Sequence, residues 1–308
     1  MMSAANLHGG IEAGGTKFVC AVASDPPLLL SETSFGTTTP QETLERVCAY
    51  FRPYVREGRL KSIGIASFGP VDADPLSPTY GYITATPKPH WQNTNILGIL
   101  QQELGVPFAF HHDVSVSAIG EHRWGASRGI DPSLYITIGT GIGGGFLLDG
   151  KPLTGLSALE MGHISVPHDR ETDPFVGHCP FHGDCFEGLA SGPAIEARMG
   201  RRGETLADDD PFWAAEADYI AHALTNYIFT LSPRIIVLGG GVMQRSFLFP
   251  EIRKRIPQYI NGYLQFEALT SRIDRYVVPP ALGKYSGVLG AISMALDLDA
   301  TQQIYPTR

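Results

Sequence analysis

Apolar positions along this chain follow two spacings in alternation, and their order predicts an α/β protein. Gly9 to Val22 reads as strand, glycine turn and strand, with Gly14-Gly15-Thr16 at the turn; Ser24-Asp25-Pro26-Pro27 then leads into a third apolar run, Leu28 to Leu30. Pro40 to Phe51 has helical spacing, apolar at Leu44, Val47, Cys48 and Phe51, with Thr39 placed to cap it. Ser62 to Phe68 reads as a buried strand ended by Gly69-Pro70, Gly81 to Pro89 as irregular, Ile96 to Leu104 as helix and Val106 to His111 as strand. Strands alternating with helices indicate an α/β lobe.

The opening theme returns at Leu134 to Leu148, again strand, glycine turn and strand, now around Gly139-Thr140-Gly141. The similarity leaves an internal duplication open, since glycine hairpins also recur by chance among 35 glycines. A loop-rich stretch from Leu153 to Glu187 follows, then helical Ser191 to Met199, a helix from about Pro211 to Leu231, the strand Arg234 to Leu238 and a third turn, Gly239-Gly240-Gly241. Gly287 to Leu296, apolar and rich in small residues, is expected to be a packed terminal helix. The expected division is a small N-terminal lobe, 1–115, joined by this last helix near 287–308, and a larger lobe, 116–286.

Composition narrows the function. At 308 residues, 43% hydrophobic and 18% charged, the chain has ordinary globular composition with room for separate cores. A net charge of -8 without a basic stripe argues against nucleic acid as partner. No apolar stretch is long enough to cross a bilayer, and Met1 to His8 has no signal-peptide pattern, so a cytoplasmic location away from the membrane is expected, with small molecules as partners. Cys20 and Cys48 sit in apolar surroundings and read as core, whereas Cys179 and Cys185 flank His182 at equal spacing.

The run Cys179-Pro180-Phe181-His182-Gly183-Asp184-Cys185 offers three soft metal ligands, and zinc in a closed tetrahedral site needs a fourth. His163 can supply it across a loop, although His168 and His178 are nearby donors. Two Cys and two His would make a structural metal. Glu160 and Glu187 flank this loop, and carboxylates are the acceptors that hydroxyl-rich ligands need. The glycine turns expose backbone N–H groups beside a Thr hydroxyl, as phosphate sites do, though tight hairpins need glycine too. Neither a Walker lysine motif nor a dinucleotide fingerprint is present. Asp113 follows a strand and precedes a helical stretch, Ser115 to Trp124; locally it suits a helix cap better than a general base, and both readings stand at this point.

Taken together, Gly10 to Phe18, Ala66 to Asp72, Tyr82 to Pro89, Asp113-Val114, Ile138 to Gly141, Glu160-Met161-Gly162-His163, the Cys/His loop and Gly239 to Met243 resemble the ROK family of sugar kinases and repressors, and within it the bacterial zinc-containing fructokinases. The resemblance implies a two-lobed actin-like ATPase fold, related to ribonuclease H, with a central cleft. It implies ATP with Mg²⁺, the phosphates against Gly14, Gly15, Thr16 and Lys17 and against Gly139, Thr140 and Gly141. The adenosine would lie near Pro193 and Gly241, Val242, Met243, Gln244 and Arg245. It also turns the reading of Asp113 toward the general base. Gly69, Pro70, Ser115, Glu160, His163 and Glu187 become sugar contacts, with His163 lending one ring nitrogen to zinc together with Cys179, His182 and Cys185.

Departures are informative. Glu12 stands where many members carry Asp, as in the fructokinase subgroup, and Ser115 stands where the family usually has an Asn that contacts the sugar. The expected activity is ATP-dependent phosphorylation of D-fructose to fructose 6-phosphate by a homodimer. A broader hexokinase acting on mannose or glucose is the alternative. A non-catalytic sugar sensor or repressor is disfavoured, because about eight residues precede the first strand where that branch carries a DNA-binding domain.

Overall fold

The computed structural model describes residues 6–304 of the chain, which divide into two compact units. The first comprises Met1–Gly125, Pro152–Ala158 and Lys284–Arg308, and the second Ala126–Lys151 and Leu159–Gly283. The first unit contains strands β1 (Leu7–Ala13), β2 (Lys17–Ala23) and β3 (Ser31–Gly36), helix α1 (Pro40–Arg56), β4 (Leu60–Ser67), the two-residue strands β5 (Tyr82–Ile83) and β6 (Thr94–Asn95), helix α2 (Ile96–Leu104), β7 (Phe108–His112) and α3 (Asp113–Trp124). After β8 (Ser133–Ile138), β9 (Ile142–Leu148) and β10 (Lys151–Pro152) come α4 (Phe186–Ala190), α5 (Gly192–Met199), α6 (Phe212–Leu231), β11 (Ile235–Gly239), α7 (Leu248–Ile260), α8 (Ile273–Tyr276) and β12 (Val277–Val278). Helix α9 (Ser286–Ile304) closes the chain and belongs to the first unit.

The two principal sheets share one plan. Their strand orders are β3-β2-β1-β4-β7 and β10-β9-β8-β11-β12. In each, an antiparallel hairpin (β1 with β2, β8 with β9) is extended by parallel strands on the far side of its first member. The recurrence of strand, glycine turn and strand in the sequence is thus the start of a repeated sheet.

Side-chain alternation in β1 and β4 sorts the faces of the first sheet. Ile11, Ile63 and Ile65 join Phe51 of α1 and Leu100 of α2 in an apolar core, while Ala66 turns to the other face with Val116 of α3 and Ala291 of α9. On that second face the backbones come very close. A Cβ at Gly64 would lie 1.9 Å from the Ala291 carbonyl oxygen, one at Gly10 2.5 Å from that of Val288, and one at Gly290 1.9 Å from that of Val116. Helix α3 therefore belongs with the first unit, and the contact boundary falls after Gly125, where the sequence suggested a joint near 115. The second core gathers β8, β9 and β11 with α4 to α7 around Leu134, Ile136, Phe186, Leu224 and Ile252.

Besides the short elements β5, β6, β10, α4, α8 and β12, which the sequence pattern does not predict, the structure departs from the expectation at Leu28 to Leu30 and at α7. Leu28 to Leu30 is not a strand: Leu28 is 73% exposed beyond a turn closed by the Asp25–Leu28 bridge, and the third strand is β3, whose side chains alternate between half-buried and exposed. An edge strand of that kind has no apolar run to betray it. Helix α7 is not among the elements expected from the sequence, although Leu248, Ile252, Ile256 and Ile260 fall on one buried face at helical spacing. Among the described residues no helix is long and apolar enough to cross a membrane.

Because the Gly290 contact is backbone on backbone, Gly290→Ala should lower the free energy of unfolding by about 3 kcal/mol, the upper range for overpacking. Urea unfolding with an unshifted midpoint would contradict the close approach of α9 to α3.

Candidate functional site

Parallel strands β4 and β7 bring Gly69 and His112 together at their C-terminal ends, next to Asp113. A Cβ at Gly69 would lie 3.1 Å from the His112 ring, and His112 Nε2 lies 3.4 Å from Asp113 Oδ1. Asp113 is the first residue of α3, not its cap: the cap position belongs to His112, which makes no side-chain capping bond. Asp113 Oδ1 instead accepts the N–H of the next residue, Val114, at 2.8 Å. Both contacts use Oδ1, so Oδ2 is the oxygen left to receive a proton. Burial raises the Asp113 pKa, against the opposing pull of the His112 imidazole and the Val114 N–H. One residue earlier, burial takes His111 down to about 4, and its Nδ1 accepts the His112 N–H at 2.9 Å, which fixes the backbone entering α3.

A second carboxylate belongs to this cluster. Burial, and then the charge of Asp113, push Glu12 at the end of β1 up to about 7, while Lys17 and the Val288 N–H pull it down. Its Oε2 is buried with no hydrogen-bond partner, and a Cβ at Gly287 would lie 2.7 Å from its Cδ. Glu12 thus rests against the first turn of α9. Beyond it the β1–β2 turn is closed by the Gly14 N–H on the Lys17 carbonyl, at 3.0 Å, and by the Thr37 hydroxyl on the Gly14 carbonyl, at 2.7 Å. A Cβ at Gly15 would meet nothing within 4 Å, and Thr16 and Lys17 are exposed. Ser115, by contrast, is 4% exposed inside α3, which restricts what its hydroxyl can reach.

In the second unit, three of the anticipated segments meet around the β8–β9 turn. The Gly192 N–H, at the start of α5 beside Pro193, donates to the Gly139 carbonyl at 2.8 Å, and a Cβ at Gly139 would lie 3.7 Å from the Gly241 nitrogen. Glu187 Oε2 accepts the Ile142 N–H at 2.8 Å. Val242 and Met243 are buried in the core, so their main chain alone is available to a ligand. Gln244 is exposed. The Arg245 guanidinium is committed to the carbonyls of Gly203 and Leu206, each at 3.0 Å, and to Asp208.

The Cys/His run converges on one point. Donor atoms of His163, Cys179, His182 and Cys185 all lie within 4.8 Å of one another. His163 Nδ1 is 3.8 Å from Cys179 Sγ and 3.6 Å from Cys185 Sγ, and His182 Nδ1 is 3.7 Å from Cys179 Sγ. Tetrahedral zinc, with bonds of about 2.3 Å to sulfur and about 2.0 Å to nitrogen, puts such atoms about 3.6 Å apart. The donor set therefore fits zinc and leaves no ligand position open. His163 turns Nδ1 inward, which leaves Nε2 for another partner; Glu160, exposed, precedes it in a single 3-10 turn. His168 is engaged elsewhere, between Asp184 Oδ2 and the Asp173 carbonyl, both at 3.0 Å.

These arrangements are those of a sugar kinase of the actin-like ATPase fold, and comparison with known proteins agrees. The ROK family matches residues 8–298, and the chain belongs to it. A Bacillus subtilis (strain 168) relative, itself assigned only provisionally as a fructokinase, is 48% identical over 289 residues, covering 94% of this chain and 95% of its own. The fructokinase of Lactococcus lactis subsp. cremoris is 43% identical over 292 residues, with 94% and 97% covered. A crystal structure of a ROK hexokinase from Thermus thermophilus superposes with a TM-score of 0.76 at 26% identity, over 96% of this chain and 99% of that one.

Reading by sequence did not single out His111 or His112, and it noted Glu12 only as a departure. A raised carboxylate favours the protonated folded state, so Glu12 contributes stability below its unfolded pKa near 4.5 and loses it as pH rises through about 7. Glu12→Gln, in divalent-free buffer, should unfold at higher urea than the parent at pH 8 and show a flatter pH dependence between 5 and 8. Parallel pH profiles for the two proteins would exclude this buried charge.

Proposed function

We infer that this protein is an ATP-dependent fructokinase, transferring the γ-phosphoryl group of ATP to the 6-hydroxyl of D-fructose. Likeness to fructokinases over nearly the whole chain supports the substrate and the reaction class. The single observation that carries the chemistry is Asp113, a carboxylate with a raised pKa, oriented through Oδ1 and open at Oδ2. Oδ2 takes the proton of the primary hydroxyl while the sugar oxygen forms its bond to the γ-phosphorus in line, and the bond to the ADP oxygen breaks with its electron pair leaving on ADP. The raised pKa helps, since a weaker acid is a stronger base.

Backbone N–H groups at Gly14, Gly15 and Thr16, with the Lys17 cation, and at Gly139, Thr140 and Gly141 are assigned to the phosphates. Pro193 and Gly241 to Gln244 are assigned to the adenosine, Val242 and Met243 through their main chain, and Arg245 braces that wall through its carbonyl contacts. Gly69, Pro70, Ser115, Glu160, His163 and Glu187 are assigned to the sugar. The orphaned Oε2 of Glu12 suits a hard cation, so Glu12 would hold Mg²⁺, directly or through water. Mg²⁺ would supply charge neutralisation at the transferring phosphoryl oxygens. His163, Cys179, His182 and Cys185 would hold a structural zinc that fixes the loop between sugar contacts. The reading extends, on family likeness, to a cytoplasmic homodimer.

Asp113→Asn keeps an acceptor for the Val114 N–H and removes the base. It should retain folding and fructose binding while kcat falls by about 10² to 10⁴, the usual worth of a general base. In a coupled assay over fructose, glucose and mannose, the parent should show its highest kcat/KM with fructose. Near-parental turnover in the mutant would remove Asp113 from this role.

Stripping the tetrad metal with a strong chelator should lower the melting temperature and weaken fructose binding by calorimetry. If both stay constant after metal analysis confirms the loss, the bracing role is wrong.

A further inference from the structure

We propose that Glu187 is a positioning residue for the Gly139–Gly141 turn, and that the short helix α4 transmits the bracing of the His/Cys tetrad to that turn. The proposal rests on the assignment of this turn to nucleotide phosphates. It adds that the metal loop serves ATP as well as the sugar.

Helix α4 starts directly after Cys185, and its entry moves with the metal loop. The His178 N–H donates to the Gly188 carbonyl and the Phe186 N–H to the Ile164 carbonyl, each at 2.9 Å. A Cβ at Gly188 would stand 1.9 Å from the Gly183 carbonyl oxygen and 3.0 Å from Cys179 Cβ. No slack separates the helix from the loop that carries Cys179 and His182.

From this entry Glu187 reaches the β8–β9 turn. Oε2 accepts the Ile142 N–H at 2.8 Å and occupies the space of an absent side chain, 2.8 Å from where a Gly141 Cβ would be. At the far end of α4 the chain touches the turn again, through the Gly192 N–H on the Gly139 carbonyl at 2.8 Å. Side chain at the entry and main chain at the exit thus hold the two flanks of one turn, which closes on itself by the Gly139 N–H to the Gly141 carbonyl at 2.9 Å. A carboxylate beside a phosphate site repels the ligand, so its presence asks for a compensating task. Fixing the turn with a charge-assisted hydrogen bond is such a task, because N–H donors that are already aimed cost no reordering when phosphate arrives.

The test measures binding of a non-hydrolysable ATP analogue with Mg²⁺ by calorimetry, without sugar, so that a sugar contact at Glu187 cannot contribute. Glu187→Ala should weaken binding about tenfold or more, the worth of a hydrogen bond to a charged group, and Glu187→Gln, which keeps an acceptor, should recover to within about threefold. Metal-stripped protein should lose affinity similarly, and adding Glu187→Ala to it should cost little more, since both changes release the same turn. Parental affinity in Glu187→Ala, or losses that multiply, would overturn the proposal. Thr140→Ala separates the premises: if it too leaves analogue binding intact, the nucleotide assignment of the turn fails. If it weakens binding and Glu187→Ala does not, only the positioning role fails. Should Glu187→Ala not fold, hydrogen exchange of the parent decides, with faster exchange over 139–142 on metal removal expected and unchanged exchange contradicting it.

Discussion

The backbone of α9 lies nearer to its sheet than any side chain would permit, and the geometry around the proposed base follows from that contact. Gly10 and Gly64 put bare main chain against the carbonyls of Val288 and Ala291, while Gly120 and Gly290 do the same between α3 and α9. With α9 seated there, its first turn stands over β1 and meets Glu12 at Gly287. With α3 seated on α9, Asp113 is delivered to the end of β7 beside Gly69. Two carboxylates thereby share one poorly solvated region, and burial, followed by the charge of Asp113, raises the pKa of Glu12. The distal C-terminal helix is thus part of the site's construction, although no proposed ligand contact comes from it.

The second unit solves a related problem with different means. Its glycine turn also has to be held, but the neighbour is α4, a helix of five residues too short to be stable by itself. What keeps it in place is attachment at both ends. The loop entering it carries the four metal donors, and the same loop is pinned from beneath by Arg198 on Asp173, at 2.9 Å, with the guanidinium over the rings of Phe175, Phe212 and Tyr219. The proposed metal tetrad and a buried ion pair converge on one segment, which would explain how a long loop can carry side chains whose aim matters.

Much of this was legible in the sequence. Strand, glycine turn and strand announced both hairpins, and the equal spacing of Cys179, His182 and Cys185 announced a ligand set that the structure gathers with His163. Other features need three dimensions. Asp113 looks locally like a helix cap; the family resemblance already turns that reading toward the base, and its placement at N1, with its carboxylate on Val114, agrees. Glu187 reads from the sequence as a sugar contact alone; its bond to Ile142 spans 45 positions, beyond any local pattern. Strand β3 escaped because an edge strand needs no apolar run, and α7 escaped because Pro250 and Pro257 interrupt a stretch whose buried face is otherwise regular.

The glycines carry two demands, since a hairpin and a phosphate site both ask for them. What a Cβ would meet separates the two demands. Gly14 faces the Lys17 carbonyl at 2.7 Å, Gly141 faces Glu187 at 2.8 Å, and Gly240, at φ +95°, faces the Ile138 carbonyl at 2.2 Å; each of these is required by the fold. Gly15 and Gly241 face nothing within 4 Å, and Gly139 meets only the Gly241 nitrogen at the ordinary distance of 3.7 Å. No steric reason within the protein excludes a side chain at these three. Each glycine turn therefore pairs a residue demanded by the chain with one beside open space, a bareness that Gly36 and Gly105 also show and that is compatible with the phosphate approach proposed above.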